Sequence, residues 1–448
     1  MPDQTTEATM GKRYRWPPAG DSRPGDRPGW DRGRTAPSVS VLVLAGGRAA
    51  ARHDSAAFED ASMALLERAD ALGREAVGAA CCEVVATIVA ELWEQGWQPG
   101  ELVRACRRGR SARHISLVVT ALAAPEAWAC ARGVAPIPVW SAQLEDLGVA
   151  PRWRERQDWL APWATGAKLG WPEALMVALE TVGVLTGLPP LQPLVAPPSA
   201  WGEWRPGVAV DSDDPVLVKV RALLAKAEST DFDAEAEALT AKAQQLMARH
   251  AIDEAITRDG AGGLRTERPV ARRFAIDDPY ASAKSLLLSA VAAANGGRSV
   301  WYADLALMTV IAFDADLEAI DTLFTSLLVQ GSRSMLAGGR LVGGRGRSQT
   351  RSFRRSFLLA FAGRIRERLE LAALAARREA EEELATSVLP VLAGRQADVD
   401  DAVAAMFPKL IRRRGPRITS EEGWLAGRSA AEMASLGPEA AIAPAASA

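Results

Sequence analysis

Apolar positions recur at helical spacing twice within residues 213–253. Val216, Val220, Leu223, Leu224 and Ala227 make one stripe, and Ala236, Leu239, Ala243, Leu246, Met247 and His250 make a second. Asp214 ahead of Pro215 marks a helix start, because a carboxylate accepts from unbonded first-turn N–H groups and proline fits the first helical position. Ser229-Thr230-Asp231 interrupts the pattern, since these side chains compete for backbone hydrogen bonds. Asp233 caps the second run, with Glu235 and Glu237 near the positive end of its dipole. The pattern predicts two helices joined by a short loop pinned by Phe232, each stripe being half of a shared core.

Elsewhere the pattern is mainly helical. Residues 39–45 are apolar and read as a short strand running into Gly46 and Gly47. Residues 55–133 carry helical stripes (Met63, Leu65, Leu66, Ala69, Leu72; then Val77, Val84, Ile88, Leu92), with Trp93 and Trp97 on one face as core or interface anchors. Residues 125–193 mix short helices with Pro-Trp turns, and their tryptophans are core fillers first and base-stacking platforms second. Residues 188–206 are too proline-rich for a helix and read as an extended linker. Asp278-Pro279 opens a helix that ends at Asn295-Gly296-Gly297. Residues 298–302 and 305–313 have strand character, and Asp314 caps the helix after them. Phe353, Phe357, Phe361, Ile365 and Leu369 fall every four residues on a later helix. Thr419 to Glu422 forms a capping box, followed by a small-residue face of Gly423, Gly427 and Ala430 or Ala431, suited to close helix packing.

The expected fold is therefore mainly α with a small α+β C-terminal domain, a helical hairpin in the middle and one short β-hairpin near residues 298–313. The expected organisation is a disordered 1–37, a helical domain at 38–190, a linker at 191–211, the hairpin at 212–258, an α+β domain at 270–385, a helical extension at 386–436 and a disordered tail at 437–448.

Composition removes several functional classes. Net charge is −2, so the whole molecule exerts no long-range pull on nucleic acid and any such pull must be local. Cys81, Cys82, Cys106 and Cys130 form no C-x-x-C pair, and His53, His114 and His250 are far apart. Reduced thiols in a cytoplasmic protein are expected, with no metal site and no cofactor. No signal sequence is readable, and no apolar run suggests a membrane partner. Gly46 and Gly47 resemble a nucleotidyltransferase phosphate loop, but no lysine follows where one is needed, and a turn is the simpler account. No nucleophile–base or metal arrangement is readable, so no catalytic residue is assigned.

Arginine distribution does add something. The chain holds 46 arginines and seven lysines, a bias that a GC-rich coding sequence would produce. Residues 333–378 exceed it: twelve arginines against Glu367 and Glu370 leave a local charge of +10 over 46 residues, where the chain average would place about five arginines. Residues 338–347 read as an Arg/Gly loop, and residues from 352 as a helix. The candidate phosphate-binding set is Arg340, Arg345, Arg347, Arg351, Arg354, Arg355, Arg364 and Arg366, since guanidinium forks suit phosphate. The hairpin, with ten acids against six bases over residues 211–258, is an internal competitor for those arginines.

The segment KVRALLAKAEST–DFDAEAEALTAKAQQLMARHAID resembles the bacterial and phage family known as domain of unknown function 2786. From about Ala271, the segments SFRRSFLLAFAGRIRERL and GWLAGRSAAE resemble its uncharacterised companion domain, number 7168. Neither resemblance implies an activity. Two functional expectations lead: an accessory protein whose partner is DNA or RNA, held by the arginine patch, and a module that binds a protein partner through tryptophans and arginines. An enzyme of unrecognised class ranks third.

Overall fold

A computed structural model describes residues 6–8, 37–108, 110–124, 127–128, 131, 133–149, 158–203, 215–229, 233–260, 268–341, 347–384, 387–412 and 419–433. The chain divides into two compact units, residues 10–206 and residues 207–448 together with 1–9. The division falls at the end of the proline-rich stretch. Of the two segments expected to be disordered, Thr6–Ala8 is described, as strand β1, together with Pro37, whose carbonyl accepts from Arg68; the rest lies outside the described residues, as does Phe232.

The unit of residues 10–206 is helical: α1 (Val39–Arg52), α2 (Ser55–Leu72), α3 (Arg74–Glu94), α4 (Pro99–Arg107), α5 (Ala112–Leu122), α6 (Pro138–Asp146), α7 (Leu160–Gly166) and α8 (Trp171–Thr186). The expected strand at 39–45 is instead the start of α1. Ser38 caps it by accepting from Val41 N–H, and Leu42 and Val43 are buried. Gly46 and Gly47 are not a phosphate loop: α8 crosses there so closely that a Cβ on Gly46 would lie 2.8 Å from Leu179, and one on Gly183 would lie 2.5 Å from the Gly47 carbonyl. Glycine is used here for helix approach, and the alternating valines are overruled by burial.

Tryptophans hold this unit together. Trp93, Trp128, Trp140 and Trp201 form one cluster, with ring centroids 4.6 Å apart for Trp93–Trp128 and 5.1 Å for Trp93–Trp140 and Trp140–Trp201. Trp97 is fully buried and donates its indole N–H to the Pro189 carbonyl at 2.8 Å. Leu191 N–H bonds the Gln95 carbonyl at 2.9 Å, so the first part of the proline-rich run is packed on the helices rather than extended away from them. The core reading of these tryptophans thus holds, and none of those five rings is free to stack on a base. Helix α3 is long and apolar enough to cross a membrane, but 67% of that stretch is buried among its neighbours.

The second unit contains α9 (Pro215–Ser229), α10 (Asp233–Gly260), β2 (Val270–Ala275), α11 (Ala281–Ala294), β3 (Arg298–Tyr302), β4 (Leu307–Ala312), α12 (Asp314–Leu341), α13 (Arg347–Leu384), α14 (Leu389–Met406), β5 (Leu410–Arg412) and α15 (Glu421–Met433). The fold is mainly α, as the pattern predicts. The predicted β-hairpin is β3–β4, antiparallel with Val300 opposite Thr309. Strand β2, unforeseen in the sequence, adds to the other edge of β4 with Arg272 opposite Val310, and the full strand order is β2-β4-β3-β1-β5. Gly296 adopts φ +74 behind Asn295, the left-handed cap predicted there.

Helix α13 is the spine of this unit. Phe353, Phe357, Phe361, Ile365 and Leu369 are all buried, none more than 4% exposed, and Phe357 stacks on Phe361 at 6.2 Å. Gly331 of α12 lies against the Phe361 ring. Gly423 and Gly427 of α15 sit on the backbone carbonyls of Phe353 and Phe357, which is the close packing their spacing predicts. The cap of α15 differs from expectation by one residue. Ser420, not Thr419, accepts from the Gly423 N–H at 3.1 Å, while the Thr419 hydroxyl bonds Ser352 at 2.7 Å. Helix α14 is pinned to α12 by the shielded Arg395–Asp316 pair at 2.5 Å, with Arg395 also lying over the Phe313 ring at 4.2 Å.

Candidate nucleic-acid interface

The hairpin's stripes bury Val220, Leu224, Ala243 and Met247 in the same core as Phe353 to Leu369. Its polar contacts with α12 and α13 include donors from Arg221, Arg249 and Gln245. Arg221 pairs with Glu318, Arg249 pairs with Glu383, and Gln245 donates to Glu379 at 3.1 Å. Arg249 also holds Asp253 at 2.9 Å, and both carboxylates raise its pKa through hydrogen bonds, that of Glu383 first. Through these contacts the hairpin engages Glu318 of α12 and the acidic end of α13. Among the described residues, no hairpin carboxylate pairs with Arg351, Arg354 or Arg355.

Residues 216–254 match the family model described as a protein of unknown function (DUF2786). That segment spans α9 and most of α10. No curated protein and no solved structure matches the chain.

Between residues 322 and 366 the chain holds nine arginines and no carboxylate. Any internal neutralisation must come from Glu367 onward or from another element, and for one candidate it does. Arg364 is gripped by both carboxylate oxygens of Glu432 on α15, one of them at 2.9 Å, and by Glu367 at 2.7 Å. Arg428 reinforces Glu367 at 3.2 Å. These bonds raise the Arg364 pKa, Glu432 being the larger cause, and lower those of Glu367 and Glu432, chiefly through Arg364. Arg368 donates to the Ala431 and Glu432 carbonyls, satisfying the C-terminal end of α15. Arg366 also has a partner within the chain.

The N-terminal turns of α13 differ. Arg351 and Arg355 are exposed and Arg354 is half-buried. None of the three forms an ion pair among the described residues, and the Arg354 Nε is buried without an acceptor. Phe353 and Phe357 anchor the backbone between them, so these guanidinium groups stand on a rigid element. Arg347 begins α13 and Arg340 lies in the last turns of α12, so residues 338–341 are helical where a loop was expected. The side chains of Arg340, Arg345 and Arg347 lie outside the described residues.

The eight candidates thus separate. Arg351, Arg354 and Arg355 share one end of α13, whereas Arg364 is committed to α15. Glu367 was a readable partner for Arg364, being three residues away. Glu432, 68 residues on, left no local signal.

A cleft of about 610 Å³ in the helical unit is lined by Arg74, Glu75, Asp158, Thr165, Leu169 and Trp171, among others. Its Asp158 carboxylate is occupied with the Leu160 and Ala161 N–H groups at 3.0 and 3.2 Å. Among the described residues no three metal-ligating side chains converge.

Proposed function

We propose that this is a cytoplasmic nucleic-acid-binding accessory protein that holds phosphates with the arginines at the α12–α13 end, namely Arg340, Arg345, Arg347, Arg351, Arg354 and Arg355. The observation that carries this reading is the acid-free run of residues 322–366, in which Arg351, Arg354 and Arg355 lack an intramolecular ion pair among the described residues while Arg364 is neutralised. A cationic side chain left uncompensated on a rigid helix suits an external polyanion, and guanidinium favours phosphate over other anions. Arg364 and Arg366 are assigned to the fold instead. The resemblance of residues from about 271 onward to the companion domain 7168 belongs to the same proposal: α13 and α15 are the elements that carry it.

The test uses the full chain and fluorescently labelled single-stranded and duplex 20-mers. The triple variant Arg351→Gln/Arg354→Gln/Arg355→Gln is expected to weaken binding at least about tenfold, uniformly across sequences, because phosphate contacts carry no base information. Arg378→Gln, an exposed arginine outside the set, is expected to bind as the parent does. Equal binding by parent and triple variant would remove the reading. So would a stoichiometric protein partner that is retained after nuclease treatment, if no oligonucleotide binds.

A further inference from the structure

In the helical unit, Ser111 and His114, three residues apart at the start of α5, meet Glu180 from 66 residues further on. The Ser111 hydroxyl lies 2.9 Å from Nδ1 of His114, and Nε2 of His114 lies 2.6 Å from Oε2 of Glu180 on α8. We propose that Ser111, His114 and Glu180 form a nucleophilic relay that hydrolyses small carboxylic esters through an acyl-Ser111 intermediate.

The first support is what Ser111 does not do. It is the N-cap residue of α5, with extended backbone at φ −76 and ψ 164, yet its side chain makes no capping bond. A serine there ordinarily accepts from an N–H two or three residues on. Here the His114 N–H bonds the Ser111 carbonyl at 3.1 Å, and the hydroxyl is turned to the imidazole. Ser111 is an exposed residue, while its partner His114 is buried, with a side chain 8% exposed.

The second support is the tautomer that the partners require. A carboxylate accepts only, so Nε2 carries hydrogen towards Glu180, and in the neutral imidazole this leaves the Nδ1 lone pair facing the Ser111 O–H. A serine nucleophile needs such an acceptor in its base, with the two ring nitrogens here in exchanged roles relative to the Ser-His-Asp triad: Nδ1 faces the serine and Nε2 the carboxylate. Among the described residues the backbone N–H groups of Ala112 and Arg113 have no acceptor. With the positive end of the α5 dipole, they are available to a carbonyl oxygen that gains charge beside Ser111.

The chemistry closes without a further reagent. Ser111 Oγ bonds to the ester carbonyl carbon as its proton passes to His114 Nδ1. The carbon–oxygen bond to the alcohol breaks, and the alcohol leaves with that proton. Water then gives a proton to His114 and its oxygen to the acyl carbon. The acid departs, and the proton returns to Ser111. Ser111 and His114 are the catalytic residues, and Glu180 is a positioning residue. Arg110 and Arg113, on either side of Ser111 in the chain, favour an ester that carries a negative charge.

The test treats the full chain with a fluorophosphonate probe and, separately, with p-nitrophenyl hemisuccinate and p-nitrophenyl acetate. The expected result is one adduct per chain on Ser111, a burst of one equivalent of nitrophenolate, and a preference for the hemisuccinate. Ser111→Ala, with unchanged circular dichroism, should lose both adduct and burst. Glu180→Gln should lower kcat about 100-fold with KM held, the size of a general-base contribution. No adduct on Ser111, hydrolysis that survives in Ser111→Ala, or a Glu180→Gln enzyme with parental kcat would overturn the relay.

Discussion

Replacing Gly427 by alanine tests whether α15 is seated on α13 as described. An alanine Cβ at that position would run into the backbone carbonyl of Phe357. A flexible side chain could rotate away, but a helix carbonyl cannot, so α15 must lift or slide. Overpacking of this kind costs about 1–3 kcal/mol, and the gain from replacing helical glycine with alanine returns about 1 kcal/mol. A net loss of up to about 2 kcal/mol is expected. Gly363 in α13 supplies the opposite sign with the same chemistry, because nothing lies within 4 Å of where its Cβ would be. Gly363→Ala should therefore stabilise by about 0.4–1 kcal/mol. Urea unfolding followed by circular dichroism reads both, and for a unit of this size each kcal/mol moves Tm by about 2–4 °C. If Gly427→Ala is stabilised as much as Gly363→Ala, the tight α13–α15 crossing is not there.

Two further outcomes follow from the titrating groups. Glu367 and Glu432 have pKa values lowered chiefly by Arg364, so they lend stability that is whole above their ordinary value of 4.5 and is lost as pH falls through the lowered one. Arg364→Gln should cost no more than about 1 kcal/mol at neutral pH, since the pairs are partly solvated. It should also flatten the acid limb of the stability profile, and a variant with the parental acid limb would refute the pairing. Burial pushes the Cys81 and Cys106 thiols up to about 12 and raises Cys82 as well. In a Cys130→Ser background, native protein at pH 8 should give no thiol titre with Ellman's reagent and three equivalents after unfolding. Rapid native labelling would contradict that burial.

Much of the architecture was legible because it rests on local periodicity. The two stripes at residues 213–253, the Phe353 to Leu369 ladder, the β3–β4 hairpin and the left-handed turn at Gly296 each need only a few neighbouring residues to declare themselves. The failures share a different cause. Residues 39–45 alternate like a strand, and only α8, more than 120 residues away, makes Gly46 and Gly47 a helix crossing. Strand β2 carries Arg272 and Arg273 and becomes a strand by pairing with β4. Ser420 displaces Thr419 as a cap because Ser352 claims the threonine hydroxyl. In the arginine patch, spacing located α13 and its basic face, but the capture of Arg364 by Glu432 and the approach of Glu180 to His114 are products of tertiary folding. Periodicity carries no record of them.

The proposed role of the α12–α13 arginines is to meet phosphate. The most direct measurement is the slope of log K against log salt concentration for the full chain on a labelled single-stranded 20-mer. Six phosphate contacts predict a slope near −4, at about −0.7 per contact, and the Arg351/Arg354/Arg355 triple glutamine variant should be shallower by about 2. A flat slope, or an identical slope in parent and variant, would contradict it.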